Sequence, residues 1–340
     1  MSINARELNK NYDFEIDRAS HIGRPMNNTA MFITKKIENQ LSALDGISDC
    51  VIFTEQSIEV PEEFANKNGF VFCGNPQREY AKFMTRVADE RFAIDKKRKY
   101  SLTSNGYYIG EDVRIESNAY IEPGCVIGHG VTIGDNAVIK AGSIIKNAVI
   151  VHNVLIQEKT AIVDGFTMCR DEENNLYRIP TLGKVQIGNY VEVGVSDNIS
   201  AGSGGDIIID DYVKLDAMVH IGHDVHLHKN TEITAGVVVG GFVDAGADTY
   251  MGINSVVRNR LTLGKGSRVS MGAVVTRSVE DNQTVTGNFA VDHKRFITEL
   301  KRSNEMYKEI SGGYFRIVQN GVSAPLSVER RLRDEKLFCA

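Results

Sequence analysis

The sequence predicts a mainly β protein: a parallel β-helix carrying a small α/β domain before it and a helical extension after it. Three observations lead there. Apolar residues recur every sixth position over most of the region from residue 109 to 275. Glycine reaches 31 of 340 residues while proline is only 6 and tryptophan is absent. Such a chain needs many tight turns inside regular structure, which excludes a proline-rich linker or a collagen-like tract. The ends of the chain, by contrast, carry no sixfold beat.

Residues 1–100 read as the small α/β domain. Two apolar runs, Cys50–Thr54 and Gly69–Cys73, fit short buried strands. The stretch from Asn75 to Arg91 has Tyr80, Phe83, Met84 and Val87 at helical spacing. Asn75 followed by Pro76 supplies a side-chain cap and a first-turn proline.

The beat begins at Ile109 and runs through Ile115, Ile121, Ile127, Ile133, Ile139, Ile145 and Val151. It falters at Gln157, returns at Val163, and reappears at Ile187, Val193 and Ile199. A third run has twelve apolar positions in phase from Ile209 to Val275. Four places after most apolar positions stands a small or medium residue such as Ala119, Cys125 or Ala137. A period of six is neither helical nor a simple strand alternation. It suits short strands joined at corners, with three hexads (about 18 residues) per turn and coils stacked at ~4.8 Å. The prism is assigned to residues 101–291.

Within it, residues 165–184 are polar and loop-like, about one coil long, and are expected to serve as a substrate loop. From residue 292 to 340 the beat is gone. His293–Ile310 has apolar residues at helical spacing, and the tail offers a weak strand at Tyr314–Val318 and a charged segment at Val328–Leu337.

Composition excludes several functions. A net charge of −5 provides no broad basic surface, so nucleic acid is not expected as a partner. No apolar run approaches the ~18 residues that span a bilayer, and the polar start is unlike a signal peptide. Five scattered cysteines without a CxxC pair fit reduced thiols in a cytoplasmic protein.

Four of the eight histidines crowd into VHIGHDVHLH: His220, His223, His226 and His228. His220 and His226 hold equivalent positions on adjacent faces, roughly 120° apart in a three-sided coil, so they do not converge on one ion. No metal is expected within a chain, although histidines of two subunits could share one, as in the hexapeptide-fold carbonic anhydrases. His223 points outward near a corner, and Gly241 lies one coil above it, since 241 − 223 = 18. An imidazole base beside an exposed backbone N–H suits attack of an amine on a thioester.

The hexads resemble those of the hexapeptide acyltransferases, whose β-helix is left-handed. More specifically, DGF at Asp164–Phe166, RIPTLGKVQIGNYVEVG at Arg178–Gly194 and KLDAMVHIGHDV at Lys214–Val225 resemble the UDP-3-O-acylglucosamine N-acyltransferases of lipid A biosynthesis. GNPQREYAKFM at Gly74–Met84 is similar to that family's Asn-Pro motif, and the likeness extends over roughly residues 30–290. The resemblance implies a left-handed prism and a homotrimer with sites between subunits. It makes His223 the general base and Gly241 the oxyanion donor, with Phe72, Asn75, Phe166, Asp224 and Arg260 at substrate-binding positions. The acyl donor would be acyl-CoA or acyl-carrier protein, used as a substrate, with no permanently bound cofactor. Departures from the family fall at substrate contacts. Its IDRG reads ISAG at Ile199–Gly202, an aromatic falls on Arg78, another on Leu176 or Tyr177, and a second histidine on Arg260. The acceptor is therefore either a UDP-3-O-acylglucosamine-type sugar or a dTDP- or UDP-linked 4-amino-dideoxy sugar. A trimeric metal-dependent hydratase and a non-catalytic scaffold are the competing classes.

Overall fold

The computed structural model describes residues 3–287 except 11 and 17, and residues 290–299, 301 and 302. Residues 1–287 form one compact unit and the chain from 288 onward a second. In the second, residues 293–299 and 301–302 are helical. The rest of the helix expected to Ile310, and the tail from residue 312, lie outside the described residues.

The main body is a left-handed parallel β-helix with three faces. Its first face runs from Tyr108–Ile109 to Val274–Val275, its second from Arg114–Ile115 to Thr262–Leu263, and its third from Tyr120–Ile121 to Thr284–Val285. Most strands are two residues long, and nearly all pair in parallel with the equivalent strand one coil away. The aliphatic beat fills the prism: Ile127, Ile133, Ile139, Ile199, Ile221 and Val239 are each fully buried. Residues with positive φ mark one point per corner, again every sixth residue, as at Met218, Asp224, Asn230, Phe242 and Asp248.

Glycine's main role here differs from corner-turning. Many post-aliphatic glycines have negative φ and are needed for close approach between coils. A Cβ on Gly240 would sit 2.5 Å from the Asn259 nitrogen, and one on Gly222 2.7 Å from the Gly241 nitrogen.

The phase read from sequence slips once. Val151 and Val163, expected inside, are partly exposed, and Ile150, Ile156 and Ile162 are buried instead. The corner at Asn147 is one residue short, and its positive φ follows that of Gly142 by five positions instead of six. Ile145 and Ile150 therefore occupy successive core positions, which explains the apparent fault at Gln157.

The N-terminal region holds a four-stranded parallel sheet in the order Arg18–Ala19, Thr29–Ile33, Val51–Thr54, Gly69–Phe72. The first two strands carry too short or too uniform a pattern to have been expected. The Pro76–Asp95 helix is capped as predicted: the Asn75 side chain accepts from the Arg78 N–H at 3.1 Å. Its Tyr80, Phe83, Met84 and Val87 are buried against the sheet.

The expected loop at 165–184 is instead largely an antiparallel hairpin, Thr167–Arg170 with Leu176–Ile179. It emerges from a corner of the prism and puts Cys169, Ile179 and Leu182 into the core of the N-terminal sheet and helix. Period-two alternation across it was hidden by the polar residues that cover its outer side. The hairpin clasps the small domain to the prism.

Candidate active site

The corner between the first and second faces departs from plain hexads in two successive coils. One coil inserts the 165–184 hairpin, and the next inserts the Gly-rich turn 202–205 between the strands Asn198–Ala201 and Ile207–Ile209. Directly above come His223–Asp224, then Gly241–Phe242, then Asn259–Arg260, each 18 residues apart. Backbone bonds tie the column together: Phe242 N–H donates to the His223 carbonyl and Arg260 N–H to that of Gly241, both at 2.9 Å.

Asp224 is 1% exposed and has φ +61°. Its carboxylate is held by the backbone N–H groups of Ser203 (3.1 Å) and Gly204 (2.8 Å) and by the Ser203 hydroxyl (3.3 Å). The extra residues at 202–205 thus exist as a cradle for one buried charge. The remaining partner is His223, whose Nδ1 lies 2.7 Å from Asp224 Oδ2. Because that oxygen accepts only, Nδ1 carries the proton and Nε2 keeps its lone pair. Asp224 was expected among the substrate contacts. Its carboxylate is instead buried and bonded to His223 Nδ1.

Nε2 faces Gly241. A Cβ there would lie 2.6 Å from Nε2 and 2.7 Å from Cε1, so only glycine lets the ring lie flat beneath this backbone. The Gly241 N–H has no hydrogen-bond partner among the described residues. Phe242 meets the His223 ring edge-to-face, with centroids 5.0 Å apart. Arg260 stacks its guanidinium on the same phenyl ring at 4.3 Å.

Sequence reasoning missed the contribution of residues 20–24. His21 packs on Phe242 at 5.1 Å, edge-to-face like His223. Burial, then the adjacent Arg24, lowers its pKa to about 4, so it stays neutral. Arg24 donates from Nη2 to the Asp224 carbonyl at 2.5 Å and from Nε to His21 at 3.2 Å. Burial also lowers the pKa of Arg24 and of Arg260, the buried carboxylate opposing it in both. Tyr80 completes the bridge by donating to the Ser203 carbonyl at 2.8 Å. A small cavity of ≈ 50 Å³ is lined by His21, Tyr80, Thr167, Gly204, Phe242 and Arg260. Nothing local in the sequence signals these contacts, because Arg24 and Asp224 are 200 residues apart.

The structure therefore gathers His223, Asp224, Gly241 and Arg260. Phe166 follows Gly165, whose missing Cβ leaves room for that of His223, and is 71% exposed. Phe72 ends an edge strand, half-exposed, and Asn75 spends its side-chain oxygen on the helix cap. No hydrogen bond or ring contact joins Phe72 or Asn75 to the corner among the described residues. Arg78, at the position of an expected aromatic, is paired with Glu79 and Glu172 at 3.0 and 3.2 Å.

Residues 112–147 match the family model of the bacterial transferase hexapeptide (six repeats). The chain is 40% identical over 115 residues to the UDP-3-O-acylglucosamine N-acyltransferase of Albidiferax ferrireducens, covering 34% of this chain and 35% of that one. Against the protein of the same name from Delftia acidovorans it is 38% identical over 129 residues, 38% of each chain. The match thus spans little more than a third of the length of these relatives. A solved Francisella novicida UDP-N-acetylglucosamine acyltransferase aligns at a TM-score of 0.43 and 22% identity, covering 59% of this chain and 78% of that chain.

Proposed function

We propose that the chain is an N-acyltransferase that moves an acyl group from a thioester of CoA or acyl-carrier protein to the amine of a nucleotide-linked amino sugar. The observation that carries this reading is the pairing of His223, fixed in one tautomer by Asp224, with the unspent N–H of Gly241. The similarity to proteins named UDP-3-O-acylglucosamine N-acyltransferase supports the substrate class. A UDP-linked 3-O-acylglucosamine or a nucleotide-linked 4-amino-dideoxy sugar both present such an amine.

In this mechanism the acceptor nitrogen attacks the thioester carbonyl and passes a proton to His223 Nε2. The carbonyl oxygen gains charge and takes a hydrogen bond from Gly241 N–H. Collapse forms the amide, breaks the carbon–sulfur bond, and returns the proton from His223 to the leaving thiolate. Asp224 stabilises the imidazolium throughout. Arg260 and Phe242, beside the base, contribute to the substrate pocket, with Phe166, Phe72 and Asn75 assigned to it by resemblance. Both acceptor and donor are consumed as substrates, without a resident cofactor.

Homotrimeric assembly, with sites between subunits, belongs to the same proposal. A stripe of exposed valines on the first face, Val238, Val256 and Val274 at 39%, 37% and 64%, supports an interface there. Among the described residues no helix is long and apolar enough to cross a membrane. A cytoplasmic location is proposed with the activity, since acyl thioesters are supplied there.

The test is direct. The purified chain is incubated with UDP- and dTDP-amino sugars and acyl thioesters of several lengths, and the N-acyl product is followed by mass spectrometry. His223→Ala should reduce turnover by about 10²–10⁴, the usual worth of a general base, with the fold retained. Near-normal turnover in that variant would refute the role of His223.

A further inference from the structure

The second face carries another constellation, separate from the corner. His226 and His228 sit two residues apart on and after the strand His226–Leu227, so both side chains point outward from the same face. One coil below His228 stands Asp210, and one coil above His226 stands Asp244, each 18 residues away. His220 lies on the strand of the preceding face, so it takes no part in this pair.

The two imidazoles stack with centroids 3.7 Å apart and planes 24° from parallel. All four ring nitrogens face a carboxylate. His226 Nε2 and His228 Nδ1 lie 3.2 and 3.6 Å from Asp210 Oδ2. His228 Nε2 lies 3.1 Å from Asp244 Oδ1, and His226 Nδ1 lies 3.9 Å from Asp244 Oδ2. Two neutral imidazoles own two protons for these four contacts. Two nitrogen lone pairs are then left facing carboxylate oxygens, which repels unless a cation lies between them. Charging both rings would supply the protons but would stack two cations face to face.

The geometry points to a divalent transition-metal site formed by His226 Nε2, His228 Nδ1 and Asp210, with Asp244 on the far side of both rings, 3.1 Å from His228 Nε2, where it accepts that N–H and orients the ring. The first three present ligand atoms that all lie within 4.8 Å of one another. Two imidazole nitrogens and one carboxylate suit Zn²⁺, Co²⁺, Mn²⁺ or Fe²⁺ over Mg²⁺ or Ca²⁺. Arg24 is near enough to His226 to oppose a cation there, but Asp244 and Asp206 act on that guanidinium in turn. Asp210 and the two histidines come from successive coils, so the ion would join those two coils.

The test uses the full chain stripped with a chelator and then titrated with Zn²⁺, Co²⁺, Mn²⁺ and Mg²⁺. About one Zn²⁺ or Co²⁺ per chain is expected, with weaker Mg²⁺ binding, a Co²⁺ visible spectrum of imidazole ligation, and a metal-dependent rise in thermal midpoint. His228→Ala and Asp210→Asn, both on the surface of the face, should each weaken binding at least tenfold. His223→Ala should bind metal like the parent, so the result does not depend on the acyltransferase reading. Absence of binding by the parent chain, or unchanged affinity in both ligand variants when these remain folded, overturns the site.

Discussion

Two histidine–aspartate groupings have their histidines within five residues of each other and differ in how their carboxylates are satisfied. At the corner, Asp224 receives hydrogen bonds from two backbone amides and a hydroxyl before it meets His223. One ring nitrogen has a carboxylate partner, and the other is left to meet an amine. On the flat second face, no backbone N–H among the described residues donates to the Asp210 or Asp244 carboxylate, and four ring nitrogens compete for two protons. The first arrangement fixes a tautomer, as acid–base chemistry requires. The second leaves lone pairs together, as metal ligation requires. Residue type alone does not separate them; the backbone behind each aspartate does.

The largest expected effect tests the corner itself. Gly241→Ala places a methyl 2.6 Å from His223 Nε2, where the ring cannot stay and the acceptor amine cannot approach. Turnover should fall as far as it does when a general base is removed, about 10²–10⁴ or roughly 3–5 kcal/mol of barrier. Gly240→Ala, its neighbour, collides instead with the backbone of the next coil at Asn259. Thermal melting should therefore show Gly240→Ala losing stability and Gly241→Ala keeping most of it. If both variants lose only stability, the corner glycine has no chemical role.

Next in size is a pH effect rooted in residues 20–24. His21 titrates near 4 in the folded chain and near 6.5 when unfolded. The unfolded chain thus takes up the proton first, so stability is lost as pH falls from about 6.5 to 4. Above 6.5 this group adds no slope. The full shift is worth up to about 3 kcal/mol. Thermal midpoints measured across that range should drop more steeply for the parent than for His21→Gln. Equal slopes would mean that His21 is not held neutral against Phe242.

Much of the prism was legible because its core repeats on a fixed period. Adding 18 to His223 finds Gly241, and the structure confirms their contact. The same arithmetic failed across Asn147, where a corner loses a residue without any change in residue type. It also could not place Asp224, whose burial depends on Ser203 and Gly204 in an irregular insertion. His21 and Arg24 were out of reach for another reason: their partners belong to a different architectural unit, and no periodicity spans the two. The His226–His228 pair follows from the period-two alternation within one strand, which a sixfold repeat does not display.

Asp224→Asn contrasts the two groupings most sharply. An amide can no longer stabilise the imidazolium, and its NH₂ would face the Ser203 or Gly204 donors or His223. A hydrogen bond to a charged group is worth about 1.5–3 kcal/mol, so turnover should drop roughly tenfold to a hundredfold. Asp210→Asn should leave turnover unchanged. Equal effects in both variants would erase the distinction between positioned base and metal face.

The smallest effect concerns the support behind the corner. Tyr80 donates to the Ser203 carbonyl, and Ser203 in turn donates to Asp224. Tyr80→Phe removes one hydroxyl from a fully enclosed position and should cost about 1 kcal/mol of stability, or somewhat more if the carbonyl is left unpaired. Because the 202–205 turn is anchored from the helix side by this bond, the variant should also lose turnover by a few-fold. Metal affinity on the second face should stay at the parent value, since none of its ligands touches Tyr80. A stability loss with turnover intact would show that the turn cradles Asp224 without help from the small domain, leaving the domain as a cover and not a support.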